Sequence, residues 1–118
     1  MSVRLRRAYD QPAPDDGYRV LVDRIWPRGV SKEHAEIDEW ARDLAPSGDL
    51  RRWFGHDPQR WEEFQRRYRD ELDRNSDAVD RLAQRASQGR VTLVYSARDQ
   101  ERNNAVVLRD VLERRRTV

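Results

Sequence analysis

Tyr18-Arg19-Val20-Leu21-Val22-Asp23-Arg24-Ile25-Trp26-Pro27-Arg28-Gly29 is the stretch on which the fold class turns. Val20, Leu21 and Val22 are contiguous and apolar, with β-branched residues dominant, which is the composition of a strand covered on both faces of a parallel sheet. The spacing predicts a strand over residues 19–25, and the chain becomes charged and aromatic where that strand runs out. A second run of the same kind, Val91-Thr92-Leu93-Val94-Tyr95, follows a long helical stretch. A strand, a helical crossover and another strand form a parallel pair with a right-handed connection.

Working outward, Val3, Leu5 and Ala8 alternate with arginines, the period of a half-exposed strand at a sheet edge, before residues 11–17 break into a Pro- and Asp-rich loop. On the other side, Ser31 is expected to cap a helix carrying Ile37, Trp40, Ala41 and Leu44 on one face and ending at Pro46. A short turn over residues 50–54 then leads to Asp57-Pro58, a cap followed by proline at the first helical position. The helix it opens places Trp61, Phe64, Tyr68 and Leu72 on one stripe. Another helix starts at Asn75 or Ser76, runs through Val79, Leu82, Ala83 and Ala86, and closes at Gly89. A last one starts near Gln100, with Ala105, Val106, Leu108, Val111 and Leu112 inward. The expectation is a small single α/β domain over residues 1–118, a parallel strand pair plus an edge strand packed against four or so helices.

Composition narrows the function. Charged residues make up 39% of the 118, yet 22 acids nearly cancel 24 bases and leave a net charge of +2, so no dedicated polyanion binder is indicated. Lys32 is the only lysine. Arginine grips carboxylate or phosphate with a planar fork, so a few of these side chains suit a ligand clamp, while the remainder read as solvated helix faces. With no cysteine, disulfides and thiolate sites are excluded, and two histidines are too few for most histidine-led metal sites. No GxGxxG, Walker loop or HExxH is present, so neither a cofactor nor a metal is expected. The start, Met1-Ser2-Val3-Arg4-Leu5-Arg6-Arg7, has no apolar run behind its charges and no stretch is of membrane length, so a cytoplasmic protein without membrane contact is expected. Nothing in the pattern sets an oligomeric state.

Three segments share a mixed polar and aromatic character: residues 23–29, Trp53-Phe54-Gly55-His56-Asp57-Pro58, and Tyr95-Ser96-Ala97-Arg98-Asp99. Parallel neighbours put their carboxyl ends at one edge of the sheet, where open α/β folds bind ligands. Arg24, Arg28 and Arg98 are the expected clamps for a phosphorylated or nucleotide-like anion, Trp26 or Tyr95 the stacking surface, and Ser96, Asn103 and Asn104 the polar contacts at the start of the last helix. Asp23, His56 and Asp99 are the proton-transfer groups available to a hydrolase or transferase. Against this stands a structural alternative in which Asp23, Arg24, Arg98 and Asp99 pair with one another at the sheet edge. His56 closing a loop against the core is the corresponding alternative for the histidine, because Asp57 is needed as a cap.

A binding module for nucleic acid or a protein partner is the other functional class, working through Arg4 with Arg6 and Arg7, Arg51-Arg52, Arg66-Arg67 with Arg69, and Arg114-Arg115-Arg116. The interleaved Asp70, Glu71 and Asp73 disfavour nucleic acid.

Residues 17–29, Leu44-Ala45-Pro46-Ser47, residues 50–58, Trp61, Phe64 and Asn103-Asn104-Ala105-Val106-Val107-Leu108 closely resemble the YeaO-like proteins, a bacterial family built on domain of unknown function 488. The resemblance covers nearly the whole chain and implies a compact α/β domain with no agreed catalytic residues. The family pattern has a histidine before the asparagine pair, where this chain has Arg102, so the resemblance brings no acid–base group to that helix start.

Overall fold

Inside the sheet, β4 (Val91–Tyr95) is buried along its whole length, as its mostly apolar composition favours, and Thr92 meets its burial by donating to Asp16 O at 2.6 Å. The computed structural model describes residues 3–115; Met1, Ser2 and residues 116–118, Arg116 of the basic run among them, lie outside the described residues. On one flank β4 pairs in parallel with β1 (Val3–Arg7), Val3 opposite Val91, and on the other with β2 (Tyr18–Leu21), Tyr18 opposite Val91. Beyond β2 lies a short parallel strand, β3 (Glu39–Trp40), giving the order β1-β4-β2-β3. The fold is therefore α/β with the expected parallel pair and edge strand β1, and the described residues form five α-helices.

Period-two alternation divides the sheet into unlike faces. Val20, Val22, Val91, Leu93 and Tyr95, with Val3 and Leu5 beside them, face the helices and share one core with Phe64, Tyr68, Leu72, Val79, Leu82, Leu108 and Leu112. These come from α3 (Trp61–Asp73), α4 (Ser76–Gln88) and α5 (Asn104–Arg115). The stripe expected on α3 buries Phe64, Tyr68 and Leu72, while Trp61 is half-buried and stacks on Phe64 at 5.7 Å. The opposite face is covered by loops. There Leu21, Val94 and Ala8 form a small second core against Trp26, Ile37 and Trp40.

The polar residues of that second face converge on one aspartate. Asp16, 1% exposed, accepts from Arg4 at 3.0 Å, Arg6 at 3.2 Å and Arg19 at 2.6 Å, and from the Ala13 amide at 3.0 Å. Burial works against its charge, and the Ala13 amide with the Arg4, Arg19 and Arg6 guanidiniums outweighs that, holding the carboxyl below its ordinary range. Gly17, at φ +70, turns the chain from this aspartate into β2.

Four sequence expectations need correction. The helix from Ser31 to Leu44 is only one turn, α1 (Lys32–Ala35), capped by Ser31 and ended by Glu36 in the left-handed region at φ 49. The following residues run as β3 and a 3-10 turn (Arg42–Leu44) instead. The reason is the open edge of β2: Asp38 N donates to Arg19 O at 2.9 Å and Ala41 N to Leu21 O at 2.9 Å, satisfying backbone groups a helix would have left bare. The turn expected at residues 50–54 is part of helix α2 (Gly48–Phe54), with Ser47 Oγ accepting from Leu50 N at 3.1 Å and Gly55 ending it at φ 53. Finally, β2 stops at Leu21 rather than Ile25, and α5 starts at Asn104 rather than near Gln100, because Asp99 takes the amides of Glu101 and Arg102 into a turn.

Candidate functional site

Beyond the carboxyl ends of β2 and β4 the chain leaves an open crevice of about 120 Å³. Each of the mixed polar and aromatic segments contributes to its walls: Asp23 and Ile25 from the first, Phe54 and His56 from the second, Ser96 and Ala97 from the third. Asn103, Asn104, Pro46, Arg51 and Phe64 complete the lining.

Asp23 is the pivot of the floor. Its Oδ2 accepts from Ser96 N at 2.9 Å and Ser96 Oγ at 2.6 Å, while its Oδ1 has a longer contact, 3.3 Å, with Asn104 Nδ2. Its own carbonyl accepts from Trp40 Nε1 at 2.7 Å, and Asn104 Nδ2 also donates to Val22 O at 2.7 Å. Burial pushes the Asp23 carboxyl above the usual carboxylate range, partly offset by Ser96, Asn104 and the field of Arg51. Asn103 is buried and committed to the backbone: Nδ2 donates to Asp99 O at 2.9 Å and Oδ1 caps α5 through Val106 N at 3.0 Å. The site thus rests on hydrogen bonds linking two strand ends and a helix start.

Of the expected site residues, the structure brings together Asp23, His56, Ser96, Asn103 and Asn104. The others lie elsewhere. Arg24 turns its Nε to Pro46 O at 3.3 Å outside the crevice, and Arg28 and Arg98 are exposed away from it. Trp26 packs edge-on against Trp40 at 5.3 Å and donates to Val30 O, so its ring belongs to the second core. Tyr95 is 3% exposed and belongs to the helix-side core, which leaves no ring face for stacking. Asp99 is occupied by the amides of Glu101 and Arg102, which hold its carboxyl low, and it pairs with Arg102 at 3.1 Å. The alternative charge network is not formed either. Asp23 takes neutral donors, and the buried ion cluster gathers instead on Asp16 at the opposite end of β2.

The sequence places Arg51 only in the basic run Arg51-Arg52 and not at the crevice, because α2 reads as a turn. Ser47 is the available sign of a helix, and a helix from that cap puts Arg51 and Phe54 three residues apart on one face, aimed at the crevice. His56 follows Gly55 at φ 56, and its ring lies 5.9 Å from that of Phe54. Among the described residues neither the Arg51 nor the His56 side chain makes a hydrogen bond or an ion pair. Other arginines are engaged: Arg66 and Arg67 with Glu63, Arg69 and Arg114 with Asp110, Arg115 with Asp80. Among the described residues no three His, Cys, Asp or Glu side chains are grouped to hold a metal, and no helix is long and apolar enough to cross a membrane.

Comparison with known proteins gives the family. The family described as the inactive DUF488-N3 subclade matches residues 2–117. An uncharacterized protein of Mycobacterium tuberculosis is 43% identical over 113 residues, covering 96% of this chain and 95% of the relative. The uncharacterized protein YeaO of Escherichia coli is 39% identical over 112 residues, covering 95% of this chain and 97% of YeaO. No solved structure matches the chain. With the profile spanning nearly every residue and relatives aligned end to end, the chain belongs to the YeaO-like proteins of the DUF488 group, in the subclade described as inactive.

Proposed function

We propose that this protein binds a small anionic molecule in the crevice at the ends of β2 and β4 and does not transform it. The observation that carries this reading is the pair Arg51 and His56, two side chains capable of holding an anion and left without a hydrogen-bonding partner, on the wall of a crevice otherwise lined by Ile25, Pro46, Phe54, Phe64 and Ala97. A guanidinium with no hydrogen bond of its own, beside apolar surface, is poised for a carboxylate or phosphate. The clamp role expected of Arg24, Arg28 and Arg98 passes to Arg51 and His56.

Size limits the ligand. A cavity of about 150 Å³ holds a benzene ring, and whole drug-sized ligands occupy about 300 Å³ or more. The crevice, at about 120 Å³, suits one ring or a short chain, and a nucleotide would leave most of itself outside. A binding role without chemistry agrees with the subclade's description as inactive and with the commitment of Asp99 to a turn. Binding of nucleic acid through arginine-rich faces loses support because the arginines of α3 and α5 named above are paired with carboxylates.

A thermal-shift screen of small carboxylates and phosphates tests the reading. A ligand at a hundredfold excess over its dissociation constant stabilises the fold by about 2.7 kcal/mol. That shift should appear for selected anions and disappear in Arg51→Ala, whereas a shift that survives in Arg51→Ala places binding elsewhere.

A further inference from the structure

Resting on the anion-binding reading, we infer that the crevice selects a single-ring anion that also carries an N–H or O–H donor, with Asp23 as the group that accepts it. The carboxylate of Asp23 lies on the crevice wall, where it repels any negative charge brought up to it. An anion therefore settles toward Arg51 and His56, on the helix side, and the part of the ligand that meets Asp23 must be a donor.

Asp23 has the capacity for one. An ionised carboxylate offers about four lone-pair positions. Two are used by Ser96 on Oδ2, at 2.9 and 2.6 Å, and Oδ1 has only the 3.3 Å contact with Asn104 Nδ2, which is already spent more closely on Val22 O at 2.7 Å. Oδ1 is the under-used acceptor of the site. Phe54 and Phe64 are buried core residues, so the apolar surface open to a ring comes from the exposed Ile25 and the half-buried Ala97.

Benzoate and its 2-, 3- and 4-amino derivatives separate the two parts of the inference when titrated into the full chain by calorimetry. At least one aminobenzoate should bind about tenfold more tightly than benzoate, the return on one hydrogen bond to a charged acceptor. In Asp23→Asn that preference should fall to about twofold or less, with benzoate itself binding more tightly because the repelling charge is gone. Ser96 offers two donors and so holds the oxygen of the replacement amide, leaving its NH₂, a donor, where Oδ1 was. Equal binding of benzoate and all three aminobenzoates to the wild-type chain overturns the donor requirement and leaves the anion site standing. A preference that persists undiminished in Asp23→Asn overturns the role of Asp23. Absence of binding by all four at millimolar concentration overturns this inference, and the anion reading falls with it only where the thermal-shift screen of small carboxylates and phosphates is also blank. The wild-type ranking decides the matter even where Asp23→Asn fails to fold.

Discussion

Ser96 donates twice to Asp23: its backbone N–H at 2.9 Å and its hydroxyl at 2.6 Å both end on Oδ2, although the two residues stand 73 apart in the chain. This contact fixes the end of β4 against the end of β2, and Asn104 adds the start of α5 by donating to Val22 O. The crevice is held open by this bracing.

Removing the brace in stages should be graded. Ser96→Ala deletes one donor to a charged acceptor and should cost about 1.5–3 kcal/mol, whereas Asp23→Ala strands the Ser96 amide as well and should cost more. Urea unfolding with an unchanged m-value checks both. A smaller loss in Asp23→Ala than in Ser96→Ala would contradict the bracing role.

Asp16 and Asp23 should impose opposite pH dependences on stability. The Asp16 carboxyl is held below its unfolded value of 3.8, so its contribution is present above that pH and is lost as pH falls through and below it. The Asp23 carboxyl is raised by burial, so its folded form holds its proton longer than the unfolded chain, and stability declines as pH rises from the unfolded value of 3.8 through the raised one. Relative to wild type, Asp16→Asn should flatten the acid limb of the stability profile, and Asp23→Asn should remove a decline on the rising side. Asp16→Ala, which leaves the buried guanidinium of Arg19 without its partner, should cost about 3–5 kcal/mol. Chemical denaturation between pH 3 and 7 measures all three.

Gly17→Ala should destabilise by about 1–3 kcal/mol or more. The residue sits at φ +70, and an added Cβ would come within 2.4 Å of the Arg90 carbonyl oxygen, which accepts from Tyr18 N at 3.0 Å to start the pairing of β2 with β4. Thermal unfolding checks it; an unchanged midpoint would mean that the turn relaxes freely.

What the sequence made legible was local. Val20-Leu21 and Val91-Thr92-Leu93-Val94-Tyr95 read correctly as buried parallel strands because both faces of each are covered, and the stripe from Phe64 to Leu72 read correctly as a helix because one face is, although Asp57-Pro58 caps a 3-10 turn that leads into it. The meeting of residues 23–29 with residues 95–99 followed from the strands being parallel, whereas Phe54 and His56 reach the site from the end of α2. The remainder depended on distant partners. Ile37, Trp40, Ala41 and Leu44 keep helical spacing, yet the unpaired edge of β2 draws Glu39 and Trp40 into a strand, a competition no local pattern displays. Trp26 and Tyr95 looked available for stacking, but each ring filled a core whose other half lies far away in the chain. Asp16 stood in a loop of prolines and acids with nothing nearby to mark it as the hub for Arg4, Arg6 and Arg19.

On the proposed function, Arg51, on the wall of the crevice, holds the anionic group of a small ligand. Titrating benzoate into ¹⁵N-labelled protein and following the backbone amides tests it most directly. Saturable shifts should gather on His56, Ser96, Ala97 and Asn104, and the dissociation constant should weaken by about tenfold or more in Arg51→Ala, the loss of one charge-assisted contact. Shifts spread over the arginine-bearing faces of α3 and α5, or an affinity indifferent to Arg51→Ala, would contradict it.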